Sequence, residues 1–404
     1  MAKSTVKNSQ RNDVKHYDAI IVGAGVIGAT LALGLAQQKG WQIALIEKSP
    51  FTEKPFLENI RATALGLPSQ RLLTELDVWQ QLEQSQQCAY GKMLVWDENS
   101  DSQLSFDAAD YHEPCLGWIV DHNAVQLCLQ KRLQQSKVEC FYESQVNSIT
   151  QIETVTNVEI NNQEKKLNLS ATWLFAADGV NSQIRSHAGI PVDSHDYHQQ
   201  GIVAKIRTEK SHQYTAWQRY LSSGSVALLP LSSGECSIVW SAESSQAETL
   251  LNLSEQDFAQ RLQNTLQSRF GTVELCSKRF AFPLRSVRVE QYIKESIILL
   301  GDAAHGIHPM AGQGANLGFA DVTTLLNEIK NMPAEDNKMH RALRRYERQQ
   351  KFQNHMMDSF LTSLDTAFRS DNIWLNTMRR IGMKTINDHS SIKSLFAQHV
   401  LGKT

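Results

Sequence analysis

Cysteine is scarce and unpatterned in this 404-residue chain. Cys88, Cys115, Cys128, Cys140, Cys236 and Cys276 form no Cys-x-x-Cys pair and no cysteine–histidine cluster at metal-ligand spacing, so they read as reduced core thiols. The two His-x-x-His pairs, His195/His198 and His305/His308, have no cysteine or motif carboxylate beside them, and no bound metal is expected. An excess of basic charge is also missing: 40 basic against 42 acidic residues give −2, which argues against nucleic acid as a partner. No apolar run approaches the ~20 residues that cross a bilayer. Polar Met1–Lys15 lacks the apolar stretch of a signal peptide, and the chain reads as cytoplasmic. With no internal repeat or low-complexity tract, organisation has to be read from the order of strand-like and helix-like segments.

At 41% hydrophobic, 404 residues exceed what one compact core usually organises, so two domains are expected. Three β-rich runs, Tyr17–Val22, Trp173–Ala177 and Ile297–Leu300, are apolar enough for strands buried on both faces, and each runs into a glycine-containing turn. Between the second and third, Gly201–Arg207, Ser225–Leu231 and Ser237–Ala242 are short β-type runs bounded by Gly, Ser and Pro. Glu255–Phe270 follows with Phe258, Leu262 and Leu266 at helical spacing. This reads as an inserted sheet with a covering helix. From about Ala334 the pattern is helical and more basic.

The first turn carries the strongest local signal. Val22 runs into Gly23-Ala24-Gly25-Val26-Ile27-Gly28, a helix with Leu31 and Leu35 follows, and a second strand, Ile43–Ile46, ends at Glu47. Gly23 permits the tight turn, Gly25 lets the backbone approach a pyrophosphate, and Gly28 lets the helix pack against the sheet. The helix start then offers free N–H groups and a positive dipole end to phosphate. Glu47 stands where an acceptor for the adenosine ribose hydroxyls belongs. Together these features predict a dinucleotide site.

The third turn decides which dinucleotide. Gly301-Asp302-Ala303-Ala304-His305 precedes Ile307-His308-Pro309 and Gly312-Gln313-Gly314. Asp302, at the carboxyl end of a strand, can accept from a ribityl chain, which FAD has and NAD lacks. Gly312–Leu317 reads as a helix start whose N–H groups face the flavin N1–C2=O edge and stabilise the reduced anion. The alternative for Asp302 is a plain turn cap.

Gly23–Gly28, Ala177-Asp178-Gly179-Val180-Asn181-Ser182, and Gly301-Asp302 through Gly312-Gln313-Gly314-Ala315-Asn316-Leu317-Gly318 together resemble the three signatures of the single-component flavin aromatic hydroxylases. Further segments sharpen the resemblance to the ubiquinone-biosynthesis hydroxylases: Arg61-Ala62-Thr63-Ala64-Leu65, Leu76-Asp77-Val78-Trp79, Leu116-Gly117-Trp118-Ile119-Val120, Cys236-Ser237-Ile238-Val239-Trp240 and Phe282-Pro283-Leu284. They span nearly the whole chain up to about Lys351. Ala204-Lys205-Ile206-Arg207-Thr208-Glu209 and Tyr346-Glu347-Arg348 also fit members acting at ring carbon 5, although paralogues acting at neighbouring carbons share most of the motifs.

The resemblance implies an α/β fold with a Rossmann-like FAD-binding domain (16–80, 110–195 and 280–335), an inserted β-sheet substrate domain (81–109 and 196–279) and a helical C-terminal subdomain (336–404). It implies that Arg61 reaches the FAD, that Asp178 and Gly179 contribute to the dinucleotide groove, and that Asp302 holds the ribityl chain. Pro309 and Gly314 would border the isoalloxazine ring, with Gly312, Gln313, Ala315 and Asn316 beside it. His308 is a candidate base for deprotonating a phenol, or else positions backbone beside Pro309. Two departures stand out. His122 replaces a commoner Asn, Arg or Gln and is either a cofactor ligand or a surface histidine, and Gly306 replaces Thr or Ser.

The implied chemistry is hydride donation by NAD(P)H, formation of a flavin C4a-hydroperoxide with O₂, and oxygen transfer to a polyprenylated phenol. Water has to be excluded from such a site, which gives the inserted sheet a role as lid. Leu229, Pro230, Leu231 and Trp240 are expected either to line the pocket or to fill core. Met356, Phe360, Leu364 and Phe368 form an i, i+4 row expected to pack on its own domain, the alternative being peripheral contact with the inner membrane or with a biosynthetic complex. Rival readings are hydroxylation at ring carbon 6 or 1, a hydroxylase of a soluble phenol, and a non-catalytic flavoprotein scaffold. A halogenase is disfavoured because no Trp-x-Trp-x-Ile-Pro stretch is present.

Overall fold

A computed structural model describes residues 14–38, 40–52, 61–98, 103–163, 165–306 and 314–369. The chain opens with strand β1 (Lys15–Val22), helix α1 (Val26–Ala36) and strand β2 (Ile43–Ile46). β3 (Ala62–Leu65), α2 (Leu67–Glu75), β4 (Gln87–Tyr90), β5 (Lys92–Asp97), β6 (Gln103–Asp107) and β7 (Gly117–Asp121) follow. Helix α3 (His122–Gln134) leads into β8 (Glu139–Phe141), the hairpin of β9 (Ser144–Ile152) and β10 (Val155–Asn162), and the long β11 (Lys165–Ala176). After α4 (Gln183–His187) come β12 (Val192–Thr208), β13 (Thr215–Leu221), β14 (Gly224–Pro230), β15 (Cys236–Glu243), α5 (Ser244–Asn252), α6 (Glu255–Thr265), β16 (Val273–Leu275) and β17 (Phe280–Val289). The described chain closes with β18 (Ile293–Lys294), β19 (Ile297–Leu299), β20 (His305–Gly306), α7 (Gly314–Glu328) and α8 (Met339–Arg369).

The three strands read as doubly buried lie side by side, in the order β18-β19-β11-β1-β2-β8, with β10 and β9 extending from β11. β1 runs parallel to both β11 and β2, and β19 runs parallel to β11. Alternate residues of these strands enter two different cores, which is why the strands are apolar throughout. Ala19, Ile21, Trp173, Phe175 and Ile298 pack under helices α1, α3 and α7. Ile20, Leu174, Ala176, Ile297 and Leu299 pack with Val146, Val158 and Ile160 of the β9–β10 hairpin.

The second sheet has nine strands in the order β20-β17-β12-β15-β14-β13-β5-β6, with β16 on β12. Here the strands alternate. Ile202, Ala204, Ile206, Ile238 and Trp240 bury one face against Phe258 and Leu262 of α6. Phe280–Val289, expected with the first domain, is hydrogen-bonded to β12 and belongs to this sheet. A small third sheet, β3-β7-β4, is built from strands that flank β5 and β6 in sequence.

Helix α8 turns Met356, the first residue of the expected row, away from the core. Leu343, Tyr346, Gln350, Asn354 and Met357 are buried, and the Tyr346 hydroxyl donates to the Leu299 carbonyl at 3.1 Å. Met356 is instead 54% exposed, because Met357 takes the inward position against Val95, Tyr220 and Leu317. The side chains of Phe360, Leu364 and Phe368 lie outside the described residues. Among the described residues, no helix is long and apolar enough to cross a membrane.

Candidate active site

The glycine turn between β1 and α1 is dictated by close contacts. Gly23 has φ +99°, and a Cβ there would stand 2.4 Å from the Ala177 carbonyl oxygen at the end of β11. A Cβ on Gly28 would lie 1.9 Å from the Gly23 oxygen, so the helix can start here only without side chains at either position. Gly25 is the opposite case. A Cβ on it would meet nothing within 4 Å, and as N-cap of α1 it provides no side-chain acceptor for the helix's first N–H groups. The turn is therefore tight on its protein side and open on the other, the shape a pyrophosphate needs.

Glu47 follows β2 directly. One of its carboxylate oxygens accepts from the Ala24 N–H at 2.6 Å and the other from Ser49 N–H at 2.8 Å. A carboxylate has about four lone-pair sites, so two acceptor positions remain. Beyond β11, Asp178 accepts from the Ile184 N–H at 3.1 Å through one oxygen, while its other oxygen is buried with no partner among the described residues. Gly179, with φ +82°, has open space where a Cβ would be.

Asp302 sits in the turn Gly301–Ala303 immediately past β19. Its side chain has solvent access, yet protein walls it closely enough that this confinement raises its pKa above the ordinary carboxylate value, against the opposing pull of His305 and Arg61. Arg61 acts on His122 as well. Burial first, then the Arg61 charge, push the His122 imidazole down to about 3, and it is neutral at physiological pH. Its Nδ1 lies 3.1 Å from the Thr63 hydroxyl. His122 is thus no surface histidine: it is half-buried at the start of α3, whose cap is Asp121, in the same cleft as Arg61 and Asp302.

Behind Asp302 lies a pair that sequence reasoning missed. Asp321 is fully buried in α7, and its Oδ2 accepts from both the Gly301 N–H at 2.7 Å and the His305 Nε2 at 2.6 Å. Burial, the largest single influence, would lower the His305 pKa, but the charge and hydrogen bond of Asp321 together with the Asp302 charge hold the imidazole above its usual range. Tyr292 stacks on His305 with ring centroids 5.9 Å apart. The one available signal was an acid inside an otherwise apolar stretch of helix.

Gly314, Ala315 and Asn316 begin α7. A Cβ on Gly314 would face open space. The Asn316 side chain is taken up by protein: Oδ1 accepts from Gly66 N–H at 2.9 Å and Ser69 hydroxyl at 2.8 Å, and Nδ2 donates to the Ala64 carbonyl at 2.9 Å. It fastens α7 to β3 and α2. His308, Pro309, Gly312 and Gln313 lie outside the described residues.

The nine-stranded sheet turns its second face toward these elements. Ala216 of β13 packs with Leu67, Leu116 and Ile119, and Leu229 and Leu231 join the same cluster with Ala62 and Ala64. Trp240 points the other way, into the core beneath α6, and does not line this side. The groove meets the demands of FAD: an open glycine edge with uncapped helix N–H groups, a carboxylate past β2 with spare acceptors, an unpartnered Asp178 oxygen, and a confined Asp302 beside a cation.

A family model described as FAD binding domain matches residues 16–357. The chain is 29% identical over 389 residues to the 3-demethoxyubiquinol 3-hydroxylase of Escherichia coli, covering 95% of this chain and 97% of that protein. It is 28% identical over 432 residues to the mitochondrial ubiquinone biosynthesis monooxygenase COQ6 of Danio rerio, covering 94% and 89% respectively. Among solved structures, p-nitrophenol 4-monooxygenase PnpA from Pseudomonas putida superposes with a TM-score of 0.78 at 16% identity, covering 96% of this chain and 99% of that one.

Proposed function

Since the chain belongs to the FAD binding domain family and is an FAD-dependent monooxygenase of the aromatic-hydroxylase type, we propose that it hydroxylates the ring of a polyprenylphenol at carbon 5, in ubiquinone biosynthesis, with NAD(P)H and O₂. The observation that carries this reading is end-to-end similarity to two proteins named for ubiquinone biosynthesis or a ubiquinol hydroxylation. The position at carbon 5 rests on the finer resemblance of Ala204–Glu209 and Tyr346–Arg348. A second position is favoured by the name of the Escherichia coli relative, a 3-hydroxylase.

Bound FAD supplies hydride acceptance and the activation of dioxygen. The chain's own residues do the rest. Gly25 and the first turn of α1 receive the pyrophosphate, Glu47 the adenosine ribose, and Asp302 the ribityl chain, with Arg61 compensating charge in the cleft. The start of α7 at Gly314 turns N–H groups toward the ring edge where negative charge develops on reduction. The covering sheet keeps water from the reacting ring, which favours hydroxylation over peroxide release. His308 is placed by motif alone as a base for the phenol proton. Contact with a membrane surface or a biosynthetic complex, at which the prenyl tail is delivered, belongs to the same proposal.

The test is complementation of strains blocked separately at each ring hydroxylation, with quinone intermediates followed by mass spectrometry. Rescue of the carbon 5 block alone is expected. Rescue only at another carbon reassigns the position, and turnover of a soluble phenol without any rescue rejects the pathway.

A further inference from the structure

Strand register places one side chain from each of six strands in a single row across the nine-stranded sheet. Phe280 pairs with Val203, Val203 with Val239, Val239 with Ala227, Ala227 with Gln218, and Gln218 with Val95. Paired residues share a face, and this is the face opposite the α6 core, since the neighbours Ile202, Ile238, Leu228 and Trp96 all enter that core. Five strand spacings make the row about 24 Å long. The parallel row beside it is small in its middle. Phe282 pairs with Gly201, Gly201 with Ser241, and Ser241 with Ser225, so the sheet is troughed there.

The two ends of the row differ in chemistry. At the β17 edge, Phe280 and Phe282 are 37% and 39% exposed, and the Phe282 ring lies 2.8 Å from where a Gly201 Cβ would be, over the trough. In the interior, Gln218 is 4% exposed and brings an amide to this face of the sheet. An amide at this depth can both donate to and accept from a ligand oxygen, where apolar neighbours on the same row cannot. Its flanking residues on the same strand face, Ala216 and Tyr220, pack with the Leu67–Ile119 cluster and with Leu317 at the start of α7. The polar end of the row therefore abuts the flavin side, and the apolar end opens at the sheet edge.

We propose that this row is the seat of the amphiphilic substrate: the phenol oxygen bonds to the Gln218 amide, and the isoprenoid tail runs over Val239 and Val203 and leaves between Phe280 and Phe282. The inference rests on the polyprenylphenol reading above and adds the path of the tail. A soluble phenol would need the inner end only. The apolar exit gives a purpose to two exposed phenylalanines on one strand that no other described element covers.

The experiment compares two ligands on the FAD-loaded enzyme, a geranylgeranyl-substituted phenol and the matching methyl-substituted phenol. Equilibrium dissociation constants are read by calorimetry and KM by substrate-stimulated NAD(P)H oxidation. Phe280→Ser combined with Phe282→Ser changes exposed side chains only, and Val203→Gln places an amide in mid-path; FAD content and melting temperature check folding. Loss of on the order of 60 Å² of apolar contact, at about 25 cal/mol per Å², corresponds to about tenfold weaker binding of the tailed ligand. Binding of the methyl-substituted phenol should change less than about twofold, whereas Gln218→Leu should weaken both ligands alike. Wild-type enzyme that binds the tailed ligand, with edge variants shifting both ligands equally or neither, overturns the path alone. Wild-type enzyme that binds and turns over only the methyl-substituted phenol overturns the polyprenylphenol reading, and the path with it.

Discussion

Replacing Asp321 with asparagine tests whether the buried His305–Asp321 pair holds the turn that presents Asp302. Asp321 is inaccessible, and its Oδ2 serves two donors, the Gly301 N–H and His305 Nε2, at 2.7 and 2.6 Å. Asparagine keeps one carbonyl oxygen and loses the charge, so it can satisfy one donor well and leaves the imidazole without its anion. Breaking a buried pair in this way costs about 3–5 kcal/mol, against a total stability of about 5–15 kcal/mol for a typical domain. The pH dependence has a definite sign. The folded pKa of His305 is raised above its unfolded value of about 6.5, so the contribution is complete below that pH and is lost as pH rises through the folded value. The difference between wild type and Asp321→Asn should be larger near pH 6 than at pH 9, and about 1–3 kcal/mol from lost hydrogen bonding remains once the imidazole is neutral. Urea unfolding followed by tryptophan fluorescence at both pH values measures it, with FAD release recorded in parallel. A difference below about 0.5 kcal/mol at pH 6, or one that does not vary with pH, would refute the reasoning.

Two further outcomes follow from the local geometry. Gly25→Val should leave the apo fold and its melting temperature intact yet abolish FAD retention, because its Cβ meets only the open groove, whereas Gly28→Val should fail to fold against the Gly23 oxygen 1.9 Å away; absorbance at the flavin band with circular dichroism separates the two, and wild-type flavin content in Gly25→Val counts against the groove. Asn316→Leu removes three hydrogen bonds that tie α7 to β3 and α2, and should cost about 2–4 kcal/mol by chemical denaturation while also loosening FAD, with unchanged stability contradicting its role as a fastener.

Much of the nucleotide half was legible in the chain because its determinants are local. A strand, a glycine turn and a helix start occupy consecutive residues, so the β1–turn–α1–β2 unit around Gly23, Gly25 and Gly28 could be placed from spacing alone, and the three buried strands revealed themselves by being apolar on both faces. Periodicity failed where two faces competed. On α8 both Met356 and Met357 are apolar, and only packing against Val95, Tyr220 and Leu317 chose Met357 as the inward one. Trp240 and Val239 are adjacent in the chain, and strand pairing alone decided that the tryptophan fills the core while the valine faces the cleft. His122 and His305 look ordinary in sequence; burial and then the Arg61 charge lower the first, and the contact with Asp321 helps to raise the second. The row from Val95 to Phe280 has no sequence signature, since it takes one residue from each of six strands and exists only once the sheet is in register. Short-range order was written into consecutive residues, and the long-range contacts that set charge, accessibility and the face of each strand were decided by tertiary packing.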